Sequence, residues 1–321
     1  MKAVPMPQNT PQHDQVFRRR LEVGGAFSRV LIPLSLGITR RALLRAGVSS
    51  HERRLAGILS HYYYAPAHHK AVTSHPLVLI HGIADNALTW AFTMRGMTKI
   101  GPVYALDLPG FGQSGYPPGR RFATIAEQVA VIQALIREVI GQPAILVGNS
   151  MGGWVAARLA ELSPELTRGI VLLDPGGAQL NGRPSWEHFV ATVSVPDLAT
   201  VRRIYRQMFG RVPLALYLGQ ASFRDLFARD AVRQFIEAAS EDDFFTPEDL
   251  RSITVPTMLI WGDRDRFLPA GSFEFFRDNM PQAELHVIKG SGHLPQREQP
   301  RRLVRLVRGF ALKQSVPASG R

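Results

Sequence analysis

One serine lies in a segment whose residue types and spacing suit nucleophilic chemistry. Ser150 is in the middle of Gly148–Gly153, which follows the apolar run Ala144–Val147 and precedes a helical pattern. Glycines two residues before and after the serine allow neighbouring backbone to approach a strained strand-to-helix turn. The turn also leaves the Met151 N–H without an acceptor at the helix N-terminus, where it can donate to a developing oxyanion. We therefore predict Ser150 as a nucleophile for acyl transfer and Met151 as one oxyanion donor.

Two loops that contain histidine predict a general base and a second oxyanion donor. His293 lies in Gly290–Pro295, a glycine-rich loop directly after an apolar strand. A base for the serine must reach the carboxyl edge of the sheet on a short loop, and His293 is the one of the ten histidines so placed. His81 ends the first buried strand, where we expect it to hold the loop in place. The glycine after it lets the Ile83 N–H face the serine, so Ile83 is the second predicted donor.

Three aspartates are candidates for the carboxylate that orients the base. Asp263 and Asp265 lie in Trp261–Pro269, the loop after a predicted strand, and Asp174 follows the preceding strand. A triad needs one buried acid, whereas neighbouring carboxylates usually serve turns or helix caps. Asp265 is the preferred candidate, and Asp174 and Asp263 stay open as alternatives.

Composition argues against several other kinds of chemistry. The chain has no cysteine, which removes a thiol nucleophile, disulfides and cysteine-bound zinc. The pair His68-His69 has no third ligand nearby, so we expect a solvated loop there and neither a metal nor another cofactor. The net charge is +12, but the basic residues are mostly arginines scattered along the chain, without a basic, aromatic-interleaved sheet motif. We therefore expect no nucleic-acid partner.

Alternating strand and helix patterns provide the scaffold that positions these residues. From Leu59 onward the alternation is typical of an α/β fold built from parallel βαβ units. The predicted strands are residues 61–64, 77–80, 103–106, 144–147, 170–173, 257–261 and 284–288. The predicted helices are residues 124–140, 152–162 and 300–312.

The alternation stops between Gly177 and about Asp249, where helical, aromatic-rich segments occur. We interpret residues 178–247 as a helical cap over the ends of the sheet, and residues 51–177 and 248–321 as the core. The candidate substrate contacts in the cap are four aromatic residues, Trp186, Phe189, Tyr205 and Phe209. Their side chains favour a substrate with an apolar acyl group.

Residues 1–50 form a basic extension with helical spacing of apolar residues. No window reaches the roughly 18 to 20 apolar residues that a membrane span needs, and no signal-peptide pattern fits. We expect a cytoplasmic protein whose extension docks on the core as a helix. The alternative is a peripheral membrane contact, which the arginines of the extension would favour.

The serine turn, the His-Gly loop, the aspartate loop and the Gly-His loop, with the triad residues in the order Ser, Asp, His, resemble the α/β-hydrolase superfamily over residues 59–312. The resemblance implies a mostly parallel sheet of about eight strands flanked by helices, with a cap inserted after the sixth strand. Carried over by position, it implies the nucleophile at Ser150, the acid at Asp265, the histidine at His293 and the oxyanion donors at Ile83 and Met151.

Within the superfamily, the segment Gly148–Gly153 together with Pro256-Thr257 and Trp261-Gly262 is similar to bacterial lipolytic enzymes of the esterase and monoacylglycerol lipase kind. This similarity implies a serine carboxylic-ester hydrolase that forms an acyl-enzyme on a small-molecule or lipid ester. Hydrolases that cleave carbon–carbon bonds in ring-fission (meta-cleavage) products are the alternative. They usually carry a glycine-rich run and a tryptophan where this chain has Ile83–Asn86 and Leu294. A second alternative is a non-catalytic binding module, although all three triad residue types are present.

Overall fold

A single eight-stranded sheet forms the centre of the protein, and the computed structural model describes residues 32–180, 190 and 197–314. The strands are β1 (Ser49–Leu55), β2 (Ile58–Ala65), β3 (Leu77–Ile80), β4 (Val103–Leu106), β5 (Ala144–Asn149), β6 (Thr167–Leu173), β7 (Thr257–Gly262) and β8 (Glu284–Ile288). Their spatial order is β1-β2-β4-β3-β5-β6-β7-β8. β2 is antiparallel to both β1 and β4, and the other neighbours are parallel. The predicted α/β fold and mostly parallel sheet are confirmed.

Helices cover both faces of this sheet. They are α1 (residues 32–45), α2 (Ala91–Met97), α3 (Ile125–Leu135), α4 (Met151–Leu162), α5 (Leu198–Met208), α6 (Leu214–Leu218), α7 (Gln220–Phe227), α8 (Asp230–Ala238), α9 (Pro247–Ser252), α10 (Ser272–Asn279), α11 (Pro295–Glu298) and α12 (Pro300–Lys313). The predicted helix over residues 124–140 is α3 followed by a π-helical turn, Ile136–Ile140. Thr124 and Glu127 form a capping box that satisfies N–H groups at the start of α3.

Alternate residues of the central strands point into two separate apolar cores. In β3, Val78 and Ile80 belong to one core, whereas Leu77 and Leu79 belong to the other. All four residues are fully buried, which accounts for the uninterrupted apolar sequence of this strand. Burial on both faces makes β3 and β5 a rigid support for the loops that leave their carboxyl ends.

The first strand corrects the predicted N-terminal boundary. The helical extension was expected to reach residue 50, but α1 ends at residue 45 and Ser49 and Ser50 already belong to β1. β1 has the sequence SSHERRL, and most of its side chains are exposed because it is an edge strand. A polar edge strand has no apolar run, so the sequence pattern did not indicate it.

A helical insertion follows β6, as predicted from the sequence. Its described helices are α5, α6, α7 and α8. Its two ends meet at a parallel bridge between Ala178 and Phe245, where the Phe245 N–H donates to the Gly177 carbonyl at 2.7 Å. The division into a cap of residues 178–247 and a core of residues 51–177 and 248–321 stays a prediction.

Helix α1 contacts the rest of the protein through few side chains. Leu43 is buried in a core cluster, and the Ile32 side chain lies beside Gly219, at the start of α7. Leu34 and Ile38 are 53% and 58% exposed. Within residues 32–180 and 197–314, no helix is long and apolar enough to cross a membrane. Peripheral membrane contact through the extension stays a prediction.

Candidate active site

Ser150 lies in a strained turn between β5 and α4. Its φ and ψ angles are 56° and −121°, a backbone conformation that L-residues rarely adopt and that neighbouring structure must enforce. A side chain on Gly148 would collide with the Gly152 carbonyl, and one on Gly152 would collide with the Ile80 carbonyl. The two glycines are therefore required for close packing beneath the serine, as the spacing predicted.

His293 and Asp265 form a buried hydrogen-bonded pair at the same edge of the sheet. The distance from His293 Nδ1 to Asp265 Oδ2 is 2.7 Å, and both side chains are only 1% exposed. Asp265 Oδ1 accepts from the Phe267 N–H at 2.8 Å, which fixes the carboxylate. His293 Nε2 is buried and has no hydrogen-bond partner among the described residues. With Nδ1 donating to the carboxylate, Nε2 is left as an acceptor that can receive a proton.

Asn149 holds the serine turn and the histidine loop together. Its amide nitrogen donates to the carbonyl oxygens of His293 at 2.9 Å and Leu173 at 3.1 Å. The Gln296 amide donates in turn to Asn149 Oδ1 at 3.0 Å. Sequence reasoning missed this positioning role. The signal was an amide side chain next to the nucleophile, at the end of a strand that is otherwise apolar or glycine.

The structure distinguishes the three candidate acids by their partners. Asp263 is exposed and accepts from the Gly290 N–H at 2.6 Å, which makes it a loop residue. Asp174 is fully buried and accepts from the Gly262 N–H at 2.9 Å. Asp265 is the one of the three that hydrogen-bonds His293.

Asp174 lies beside the histidine–aspartate pair without bonding the histidine. The three residues form a tight cluster: one polar atom of Asp174, one of Asp265 and one of His293 all lie within 4.8 Å of one another. Burial and the neighbouring charge of Asp265 raise the pKa of Asp174, which favours the protonated form of its carboxyl. A metal would need deprotonated ligands, which burial disfavours at Asp174, so the cluster suits proton transfer better.

This raised pKa predicts a pH dependence of stability. Folding makes Asp174 bind a proton that the unfolded chain releases near its ordinary pKa, so its contribution is complete at acidic pH and is lost as pH rises toward the folded-state pKa. In the wild-type protein, this effect makes the free energy of unfolding fall by up to about 1.4 kcal/mol per pH unit above about pH 4. We expect Asp174→Asn to abolish this fall. Urea unfolding of both proteins at a series of pH values measures it. If the free energies of unfolding of the two proteins changed equally with pH, the raised pKa of Asp174 would be contradicted.

The predicted oxyanion donors flank the serine. Met151 is the first residue of α4, so its N–H has no acceptor one turn earlier. A Cβ on Gly82 would lie 3.1 Å from the Ser150 Cβ, which places the loop of Ile83 against the serine. His81 accepts from the Leu108 N–H at 2.9 Å and its Nδ1 lies 2.7 Å from the Gly82 carbonyl, so it holds this loop.

A pocket of about 600 Å³, including its open mouth, contains Ser150 and His293 in its lining. Tyr205 and Phe209 also line it, whereas Trp186 and Phe189 lie outside the described residues. The remaining described wall from the insertion is apolar and consists of Met208, Leu216, Phe223, Leu226 and Phe227. An apolar chain can occupy this wall while its polar end reaches the serine.

The eight-stranded sheet flanked by helices, with a helical insertion after β6, is an α/β-hydrolase fold. The α/β hydrolase family model matches residues 77–306, and the chain belongs to this family. An esterase of Mycobacterium tuberculosis is 26% identical over 255 residues, covering 73% of this chain and 81% of the esterase.

Two solved structures share the fold at lower sequence identity. A bacterial membrane phospholipase A superposes with a TM-score of 0.72 and 24% identity, covering 94% of this chain and 99% of that one. A meta-cleavage product hydrolase from Pseudomonas fluorescens has a TM-score of 0.67 and 22% identity, covering 81% and 96%.

Proposed function

We propose that the protein is a serine carboxylic-ester hydrolase that acts through an acyl-enzyme on esters with an apolar acyl group. The observation that carries the proposal is the buried Nε2 of His293, which has no hydrogen-bond partner in the described part of the chain and lies in the same pocket as Ser150. Its Nδ1 is held by Asp265, so the histidine is oriented to take a proton. The esterase relative and the phospholipase neighbour act on esters by their names, which supports the same chemistry.

Acylation begins when Ser150 Oγ attacks the ester carbonyl carbon and gives its proton to His293 Nε2. The carbonyl oxygen becomes an oxyanion that accepts hydrogen bonds from the Ile83 and Met151 N–H groups. Asp265 stabilises the imidazolium that forms. Collapse of the tetrahedral intermediate breaks the bond to the alcohol oxygen, which takes the proton from His293 and leaves an ester on Ser150.

Deacylation repeats these steps with water as the nucleophile. His293 takes a proton from water, and the resulting hydroxide attacks the acyl carbon of the Ser150 ester. The second oxyanion uses the same two N–H donors. Its collapse returns the proton to Ser150 Oγ and releases the carboxylic acid.

A substrate panel tests the proposal. We expect hydrolysis of p-nitrophenyl esters, with kcat/KM rising as the acyl chain lengthens along the apolar wall, because each buried methylene contributes about 0.8 kcal/mol. A ring-fission product measured beside them tests the carbon–carbon alternative. Turnover of that compound alone, with no ester hydrolysed, would rule out the esterase assignment.

A further inference from the structure

One guanidinium group lies at the pocket in which the proposed ester hydrolysis occurs. Among the described lining residues, Arg297 is the single permanent cation. It belongs to the short helix α11 and follows the base His293 by four residues. Burial raises the pKa of Tyr205, and the positive charge of Arg297 opposes that shift. The two lining residues are therefore close enough to interact electrostatically.

No carboxylate neutralises Arg297 within residues 32–180 and 197–314. The two carboxylate oxygens of the adjacent Glu298 accept from the Gly210 and Gly292 N–H groups, each at 2.8 Å, and these bonds hold the carboxylate against those two loops. The Arg297 side chain is exposed, lines the pocket and has no hydrogen bond or ion pair with another described residue, so its guanidinium donors can bind a ligand.

Further arginines surround the same region, and we call the set Arg211, Arg264, Arg266 and Arg297 the basic rim. Arg264 donates to the Gly210 carbonyl at 3.2 Å, and the Arg266 N–H donates to the Gln207 carbonyl at 3.0 Å. These contacts hold the loop after β7 against the end of α5, where Glu298 also binds. All four arginines of the basic rim are exposed. None of them has a salt-bridge partner in the described ranges. Unneutralised cations beside a cleft raise the local concentration of anions.

The distribution of charge in the pocket indicates which part of a substrate would carry the anion. The wall from the insertion is apolar, so a charged group placed there would lose its hydration without compensation. Asp85 lies in the lining on the loop that carries Ile83 and repels an anion on that side. Among the described lining residues, Arg297 is the one permanent cation that can compensate an anionic group of the substrate.

We propose that Arg297 selects esters whose alcohol portion carries a phosphate group, so that the substrates are acyl esters of phosphorylated alcohols. The inference rests on the proposed ester hydrolysis. Arg297 binds the phosphate through its planar fork of N–H donors, and the rest of the basic rim attracts the anion without touching the reacting atoms.

The experiment compares two esters that differ in one group. A 1-monoacylglycerol and the 1-acylglycerol 3-phosphate with the same acyl chain are each supplied below their micelle-forming concentration, and kcat and KM are measured for both. Arg297→Met removes the charge while keeping an extended side chain, and Arg297→Lys restores the charge without the fork. Arg301→Met is the matched control, because Arg301 is an exposed arginine at the start of α12 that does not line the pocket.

We expect the wild-type protein to have a higher kcat/KM for the phosphate ester than for the neutral ester. Arg297→Met should lower the ratio of these two kcat/KM values by about tenfold or more, mainly by raising KM for the phosphate ester. Arg297→Lys should recover part of this ratio, and Arg301→Met should leave it unchanged. An equal loss on both esters in Arg297→Met, or no wild-type preference, overturns the inference while ester hydrolysis stands. If p-nitrophenyl esters are hydrolysed and neither glycerol ester is, the inference is overturned and ester hydrolysis stands; if none of these esters is hydrolysed, the proposed function is overturned together with the inference.

Discussion

Replacing Ser150 with alanine is expected to lower kcat/KM for a p-nitrophenyl ester roughly 10⁴- to 10⁶-fold, because no other group would form the acyl-enzyme. His293→Ala should cost a similar factor, since a serine without a base is a weak nucleophile. The double variant should lose no more than the worse single variant, because the two residues act as one unit. Initial rates on one ester, with thermal unfolding to verify folding, measure these effects.

A control for this prediction lies two residues before His293. Ser291 is fully buried, and its hydroxyl has no partner in the described part of the chain, so Ser291→Ala removes no hydrogen bond seen there. A serine-directed fluorophosphonate should label the wild-type protein and Ser291→Ala at Ser150, and it should not label Ser150→Ala. Labelling of folded Ser150→Ala at another serine would show that the nucleophile lies elsewhere.

The second large effect is expected at the acid. Asp265→Asn should lower kcat/KM roughly 10³- to 10⁴-fold, because an amide does not stabilise the imidazolium and can hold the wrong histidine tautomer. Asp174→Asn is the matched variant in the same buried cluster. Burial raises the pKa of Asp174 and so favours its neutral form, which an amide resembles in charge and shape, and the loss should stay below roughly tenfold.

The outcome of this pair decides between the two buried aspartates. Rates for both variants on the same ester, with urea unfolding at the assay pH, separate a loss of chemistry from a loss of folding. If Asp174→Asn abolishes turnover while Asp265→Asn retains it, the acid is Asp174 and the hydrogen bond from His293 to Asp265 is not the productive one.

The positions of the serine turn and histidine loop could be predicted because local sequence determines them. Gly148 and Gly152 have no room for a side chain, so their spacing around Ser150 follows from the geometry of the turn. The apolar strands were equally predictable, since burial on both faces leaves no polar positions in β3. In each case the structural constraint leaves a pattern within a few consecutive residues, even where the contacting atoms, such as the Ile80 carbonyl beneath Gly152, are distant in sequence.

Features that depend on distant contacts were not predictable. The bond from Asn149 to the His293 carbonyl joins residues 144 positions apart, and no local pattern records it. The sequence favoured Asp265 as the partner of His293 but left Asp174 and Asp263 open, because local sequence does not show which carboxyl reaches Nδ1 in three dimensions. The polar edge strand β1 was missed for a related reason, because its pairing with β2 depends on the backbone and not on apolar side chains.

The bridge between Ala178 and Phe245 has a consequence for how this protein can evolve. It brings the two ends of the insertion together next to β6. The insertion therefore leaves and re-enters the core at one place, whatever the length of chain between Ala178 and Phe245. Loop-closure entropy rises slowly, by about 0.6 kcal/mol for each doubling of loop length. The length of chain between the two bridged residues can therefore change at little cost in loop-closure entropy, provided that the side chains packed in the core, such as Ile204 and Phe235, are kept. We expect variation among relatives to concentrate in the length of the insertion, and its core-packing apolar residues to be retained.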